Sequence, residues 1–189
     1  MANFTVVYDA CLFYPAPLRD LMVRLAQTRR FRARWTERIH QEWVHALLHK
    51  QPELDRRQIE RTVQLINQAV PDCLITDYEP LIDELELPDP DDRHVLAAAI
   101  RAGAQAILTL NLKDFPQQTL DGFEIFARHP DDFVLDLADL EPGVVIAVAK
   151  QQRAALQHPP FTPEAFVDCL RRQGLPGVAA FLEDEIDLI

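Results

Sequence analysis

Apolar positions along the chain change period repeatedly, and the changes mark out its elements. Phe4-Thr5-Val6-Val7-Tyr8 is a β-branched and aromatic run ending at Asp9, which predicts a buried strand. Pro15 and Pro17 then open a helix carrying Leu18, Leu21, Met22 and Leu25 at helical spacing. Phe31-Arg32-Ala33-Arg34-Trp35 alternates apolar and basic and predicts a short strand. Thr36 reads as the N-cap of a helix to about His49, with Ile39, Trp43, Ala46 and Leu47 as its apolar positions. Pro52 breaks that helix, and another runs from Leu54 to Val70 with Ile59, Val63, Ile66 and Val70 on one stripe. Cys73-Leu74-Ile75-Thr76 predicts a further strand. An alanine-rich helix follows through Val95, Leu96, Ala99, Ile100 and Ala102, closed by Gly103. Ala106 to Leu110 predicts the next strand and Phe123 to Ala127 a short last one. Helices alternating with strands indicate an α/β fold with a central parallel sheet.

From His129 onward the strand pattern stops. Pro130 to Leu140, Pro142 to Gln157, a helix opened by Thr162-Pro163, and Val178 to Ile189 all read as helical, separated by Pro159-Pro160 and by Gly174-Leu175-Pro176-Gly177. The chain therefore divides into an α/β domain over residues 1–128 and a helical C-terminal extension over residues 129–189, with no internal repeat.

Composition narrows the classes. The 189 residues are 48% hydrophobic, enough for a real core. No apolar run approaches the roughly 20 residues that span a bilayer, and Met1-Ala2-Asn3-Phe4-Thr5 has no basic leader pattern. Cys11, Cys73 and Cys169 are odd in number and widely spaced, which suits buried thiols in a reducing cytoplasm. Only 5 glycines occur and none forms a phosphate-cradling motif. The net charge of −11 argues against nucleic-acid binding through a general positive field. The charge is uneven, however. Arg19, Arg24, Arg29, Arg30, Arg32, Arg34 and Arg38 gather in one region, whereas residues 71–92 hold only acids among their strongly charged side chains. A basic face beside an acidic focus suits a phosphate substrate brought to a metal site, a basic protein partner, or a mixed solvated surface.

The acidic residues fall where α/β sheets place their chemistry. Asp9 lies just past the first strand. Glu42 shares a helical row with Ile39 and Ala46, where a carboxylate is costly unless paired or bound to a metal. In Leu87-Pro88-Asp89-Pro90-Asp91-Asp92 the acids crowd a helix start; either Asp91 or Asp92 serves as N-cap, or one belongs to a site. Thr109, Asn111 and Asp114 cluster at and just after the end of the fourth predicted strand. Carboxylates sharing a pocket repel one another unless protons or cations neutralise them. All-oxygen donors suit Mg²⁺ or Mn²⁺, which can activate water and offset charge on a phosphodiester. His45 and His49 have the spacing of a zinc pair, but no third ligand accompanies them.

Val6-Val7-Tyr8-Asp9-Ala10-Cys11, the helix from Thr36 through Glu42-Trp43, Asp89 through Ala99, and Thr109 through Phe115 together resemble the PIN-domain nucleases. The resemblance covers roughly residues 4–128 and is most similar to toxin ribonucleases of VapBC-type toxin–antitoxin pairs with a helical C-terminal extension. It implies a three-layer α/β/α sandwich. It also implies metal-dependent hydrolysis of RNA, with Asp9, Glu42 and Asp92 as metal-binding acids, Asp91 and Thr109 in support, and a fourth position on Asn111 or Asp114. Homodimerisation and inhibition by a cognate antitoxin are implied too. Arg30, Arg32 and Arg34 would hold the RNA backbone. A haloacid-dehalogenase-type phosphatase would need a second Asp at the position of Cys11, and a receiver domain offers only Lys113 for its lysine. The readings that remain beside a toxin are a housekeeping RNA-processing nuclease and a catalytically silent domain binding RNA or protein.

Overall fold

The computed structural model describes residues 4–157 and 159–189. Residues 1–3, on which the reading of no leader partly rests, lie outside that set. Four parallel strands, β1 (Thr5–Tyr8), β2 (Arg32–Arg34), β3 (Ala106–Leu108) and β4 (Phe126–Arg128), form a sheet in the order β2-β1-β3-β4. The register pairs Thr5 with Arg32 on one side of β1 and Tyr8 with Leu108 on the other. All four residues of β1 are buried, so both faces of the sheet are covered.

The helices of the α/β part are α1 (Ala16–Gln27), α2 (Glu37–Lys50), α3 (Arg56–Ala69), α4 (Arg93–Ala102) and the short α5 (Gln117–Leu120). The Tyr8 hydroxyl donates to the Met22 carbonyl at 3.1 Å, which turns Val6 and Tyr8 toward α1. Thr5 and Val7 point the opposite way, and α4 packs against β1 and β3. The alanines at positions 97, 98 and 99 are fully buried, which lets α4 lie close to the sheet. This is the parallel α/β sheet that the pattern predicts, in the α/β/α sandwich that the resemblance implies. Thr36 caps α2 by accepting from the Ile39 N–H, and Gly103 ends α4 at a φ of +59°.

Three expectations need correction. Residues 73–76 do not form a strand of the sheet: Leu74 makes one isolated parallel bridge to Trp35. Two backbone bonds flank it, Trp35 N to Cys73 O and Ile75 N to Trp35 O, before Asp77 turns the chain away at a φ of +60°. The last strand begins at Phe126 rather than Phe123, because Asp121–Phe123 form a 3-10 turn and Glu124 adopts a left-handed conformation. Its apolar residues Phe123 and Ile125 belong to that turn and its exit. The capping residue of the Asp89–Asp92 stretch is Asp89, whose carboxylate accepts from Asp91 N at 2.9 Å. Neither Asp91 nor Asp92 takes that part.

Helices α6 (Pro130–Leu140), α7 (Pro142–Ala155), α8 (Pro163–Arg172) and α9 (Pro176–Asp184) complete the described chain. They pack on α1 and on one another. Gln152 of α7, almost wholly buried, donates to the Pro17 carbonyl at 2.8 Å. Asp131 of α6 accepts from the N–H groups of Gly177 and Val178, each at 2.8 Å, and so caps α9 from another helix.

Candidate active site

Parallel strands end at one edge, and the chain places its acids there. Asp9 follows β1 directly, and its N–H donates to the Leu108 carbonyl of β3 at 3.1 Å. Its carboxylate is almost buried and held on both oxygens. Ala10 N donates to Oδ1 at 2.6 Å, while the Thr109 hydroxyl at 2.7 Å and the Cys11 thiol at 3.1 Å both donate to Oδ2. Each of those two donors is itself fixed from the loop after β3. Leu110 N donates to Cys11 Sγ at 3.2 Å, and Asn111 N donates to Thr109 Oγ1 at 3.0 Å. Burial and the adjacent Asp9 charge push the Cys11 thiol well above its ordinary range, so it stays protonated and donates.

Asp92 sits at the start of α4, half-buried, with no capping bond to occupy its carboxylate. Burial first, then the charges of Asp9, Asp89, Asp114 and Glu42, push it up to about 7. These acids therefore act on one place, although they come from the ends of β1 and β3, from α2 and from the start of α4. Asp114 belongs to this electrostatic group, whereas Asn111 lies exposed and contributes its backbone N–H to Thr109. Asp91 is exposed beside Asp92.

Glu42 does not lie on a core-facing row. Ile39 and Trp43 are buried, but Ala46 is exposed, and Glu42 stands at the margin with its side chain 35% accessible. Arg38 Nε reaches Glu42 Oε1 at 3.4 Å. His94 Nε2 approaches the same oxygen at 2.6 Å, outside hydrogen-bond geometry, and neither ring nitrogen of this buried histidine has a hydrogen-bond partner. His94 and Cys11 are the two neighbours of the site that the acid pattern did not single out. Both stand two residues past an acid, at Asp92 and Asp9, and that spacing was the available signal.

The donor set is carboxylate oxygen throughout, and Asp92 is raised by burial and by the surrounding carboxylates, so the residues suit a hard divalent cation. Among the described residues, no three His, Cys, Asp or Glu side chains already form a closed ligand set. Binding an ion would draw the carboxylates together. His45 and His49 stack on the exposed side of α2 with ring centroids 6.5 Å apart, and no third ligand joins them among the described residues.

A groove of about 1220 Å³ runs between α2 and α3 and opens on Asp91 and Asp92. Glu37, Glu42 and Glu60 line it with Arg38 and Arg56, which leaves it acidic. At its inner end Asn67 Oδ1 lies 2.8 Å from both Trp35 Nε1 and His40 Nε2, and Trp43 Nε1 donates to His40 Nδ1 at 2.9 Å. Accepting at Nδ1 fixes His40 as the neutral Nε2–H tautomer, and burial lowers its pKa.

The arginines lie elsewhere. Arg32 is level with Thr5, four residues before Asp9 along parallel strands, or about 13 Å from the acidic edge. Arg30 pairs with Glu141 of the extension at 3.1 Å, and Arg34 donates to the Leu74 carbonyl at 3.1 Å.

Comparison with known proteins agrees with this fold. The family model described as PIN domain matches residues 5–113, and that of the VapC50 C-terminal domain matches residues 130–184. A curated relative named "Putative ribonuclease VapC50", from Mycobacterium tuberculosis strain H37Rv, is 48% identical over 89 residues. The match covers 47% of this chain and 52% of that protein, so it spans about half of the relative's length. No solved structure matches the chain significantly.

Proposed function

The chain belongs to the PIN-domain family, and from that premise we propose that it is a metal-dependent endoribonuclease, the toxin of a VapBC-type pair. The observation that carries this reading is the gathering of acids where the strands end, with Asp9 fixed past β1 and Asp92 at the start of α4, where burial and the charges of Asp9, Asp89, Asp114 and Glu42 push Asp92 up to about 7. A site of this kind is costly to a fold unless a cation uses it.

Asp9, Glu42, Asp92 and Asp114 would hold Mg²⁺ or Mn²⁺, with Asn111 as a further oxygen donor and Asp91 beside them in support. The bound cation would supply an activated water and offset charge on the scissile phosphate. The protein's own part is to hold the acids. Thr109 and Cys11 fix the Asp9 carboxylate, and their own anchoring to Leu110 N and Asn111 N keeps that carboxylate from rotating. Arg30, Arg32 and Arg34 would touch RNA flanking the cleaved bond, since they stand back from the acidic edge.

The two family models match residues 5–113 and 130–184 with a gap between them, and the start of the second supports a nuclease domain over residues 1–128 and an extension over residues 129–189. The acidic groove between α2 and α3 fits basic side chains, and a bidentate arginine from a cognate antitoxin would occupy it well. A homodimer and a cytoplasmic setting complete the reading. Among the described residues, no helix is long and apolar enough to cross a membrane.

The test is cleavage of end-labelled structured and unstructured RNAs by the purified chain. Cleavage with Mg²⁺ or Mn²⁺ that stops in EDTA supports the nuclease. Binding of RNA without metal-dependent cleavage on any of them supports a silent binding domain instead.

A further inference from the structure

A second cavity, of about 610 Å³, lies where α1, β2 and the end of α3 meet. Its volume is within the usual range for small-molecule sites. Arg29, Arg32 and Arg34 line it, with Asp72 as the one carboxylate on its wall. Among the described residues, Arg29 and Arg32 make no ion pair, in a protein whose net charge is −11. The Arg34 Nε is buried and has no hydrogen-bond partner. An unpaired buried donor on a guanidinium is unfavourable, and an oxyanion would satisfy it. Phe31, Ala33 and Val70 give the same cavity an apolar floor.

Two helices end beside this cavity, α1 at Gln27 and α3 at Ala69, and their carbonyl ends are partly negative. Half a charge from each, with Asp72, still leaves the three guanidiniums about one charge in excess. Neutralising helix ends therefore does not account for all of them. The place also matters. The cavity runs along the edge strand β2, from Arg32 level with Thr5 to Arg34 level with Val7, so it flanks the sheet and stands apart from the acids gathered past the end of β1.

We propose that this cavity binds the phosphate of a nucleotide, with Arg29, Arg32 and Arg34 around the anion and the apolar floor under the rest of the ligand. The nucleotide is either free or one unit of an RNA strand. The second case rests on the nuclease reading and adds to it a contact remote from the cleaved bond; the first is independent of it.

The experiment is calorimetric titration of the whole chain in EDTA, where metal-dependent cleavage is arrested, with inorganic phosphate, AMP and a short single-stranded RNA in turn. The variant is Arg29→Gly with Arg32→Thr. Glycine suits the φ of +57° at position 29, and threonine suits a strand, so the fold is preserved. Arg57→Ala with Arg61→Ala removes the same charge from the exposed side of α3. At least one probe should bind wild type, with affinity falling at least about tenfold in the pocket variant and not in the α3 variant. Binding of AMP but not RNA identifies a free nucleotide and binding of RNA but not AMP a strand, whereas binding of inorganic phosphate alone overturns the nucleotide. The proposal is overturned if no probe binds, or if both variants weaken binding equally. Cleavage plays no part in this readout, so its failure leaves the nuclease reading standing, and the converse holds.

Discussion

Asp9 is held by donors on both carboxylate oxygens, and this gives its neighbours a measurable role. Thr109→Val removes one donor from Oδ2 and should lower RNA cleavage roughly 10- to 100-fold, as loss of a ligand-orienting contact does, while Thr109→Ser should retain it. Cleavage kinetics under saturating metal check this. Asp92 makes a prediction about pH. Its carboxyl is raised in the fold from 3.8 to about 7, so between those values the folded state binds more protons than the unfolded one. Stability of the metal-free protein should therefore be favoured below about pH 4 by this group and fall as pH rises toward 7. Asp92→Asn should remove that slope, read from thermal melts in EDTA across the range. The acids themselves were legible in the sequence, because isolated carboxylates after strands stand out. Cys11 and His94 were not, since a thiol and a histidine at those positions look like ordinary core residues until the fold brings them against Asp9 and Glu42.

At the scale of elements, periodicity located the helices and β1 because each has enough residues to show a period. It failed where pairing with a neighbour decides. Residues 73–76 have strand composition, but one bridge to Trp35 is all the edge of β2 offers them. Phe123 to Ala127 misled in the same way, since a left-handed Glu124 cannot be seen in an apolar run. The extension is secured by a contact between elements far apart in sequence. Asp131→Ala should destabilise the protein by about 1–2 kcal/mol, as loss of a helix cap does, measured by denaturant unfolding. Gly177→Ala should cost about 1–3 kcal/mol, because a Cβ there would meet Leu135 Cδ1 at 2.5 Å and Asp131 Oδ2 at 3.0 Å.

For the whole molecule, charge is segregated between one edge of the sheet and its β2 flank. The acidic edge concentrates Asp9, Asp92 and Asp114, and the arginine cavity flanks the sheet along its edge strand β2. A net charge of −11 then permits work on RNA only if cations cover the acidic edge. Adding Mn²⁺ should raise the melting temperature of wild type in a concentration-dependent way and leave Asp9→Asn little changed. The measurement that tests the central claim most directly is RNA cleavage by wild type and Asp9→Asn, prepared identically and assayed side by side with Mn²⁺. If Asp9 holds the cation, the substitution lowers cleavage by on the order of 100-fold or more. Equal cleavage by the two proteins would contradict it, because the activity would then come from somewhere other than this carboxylate site.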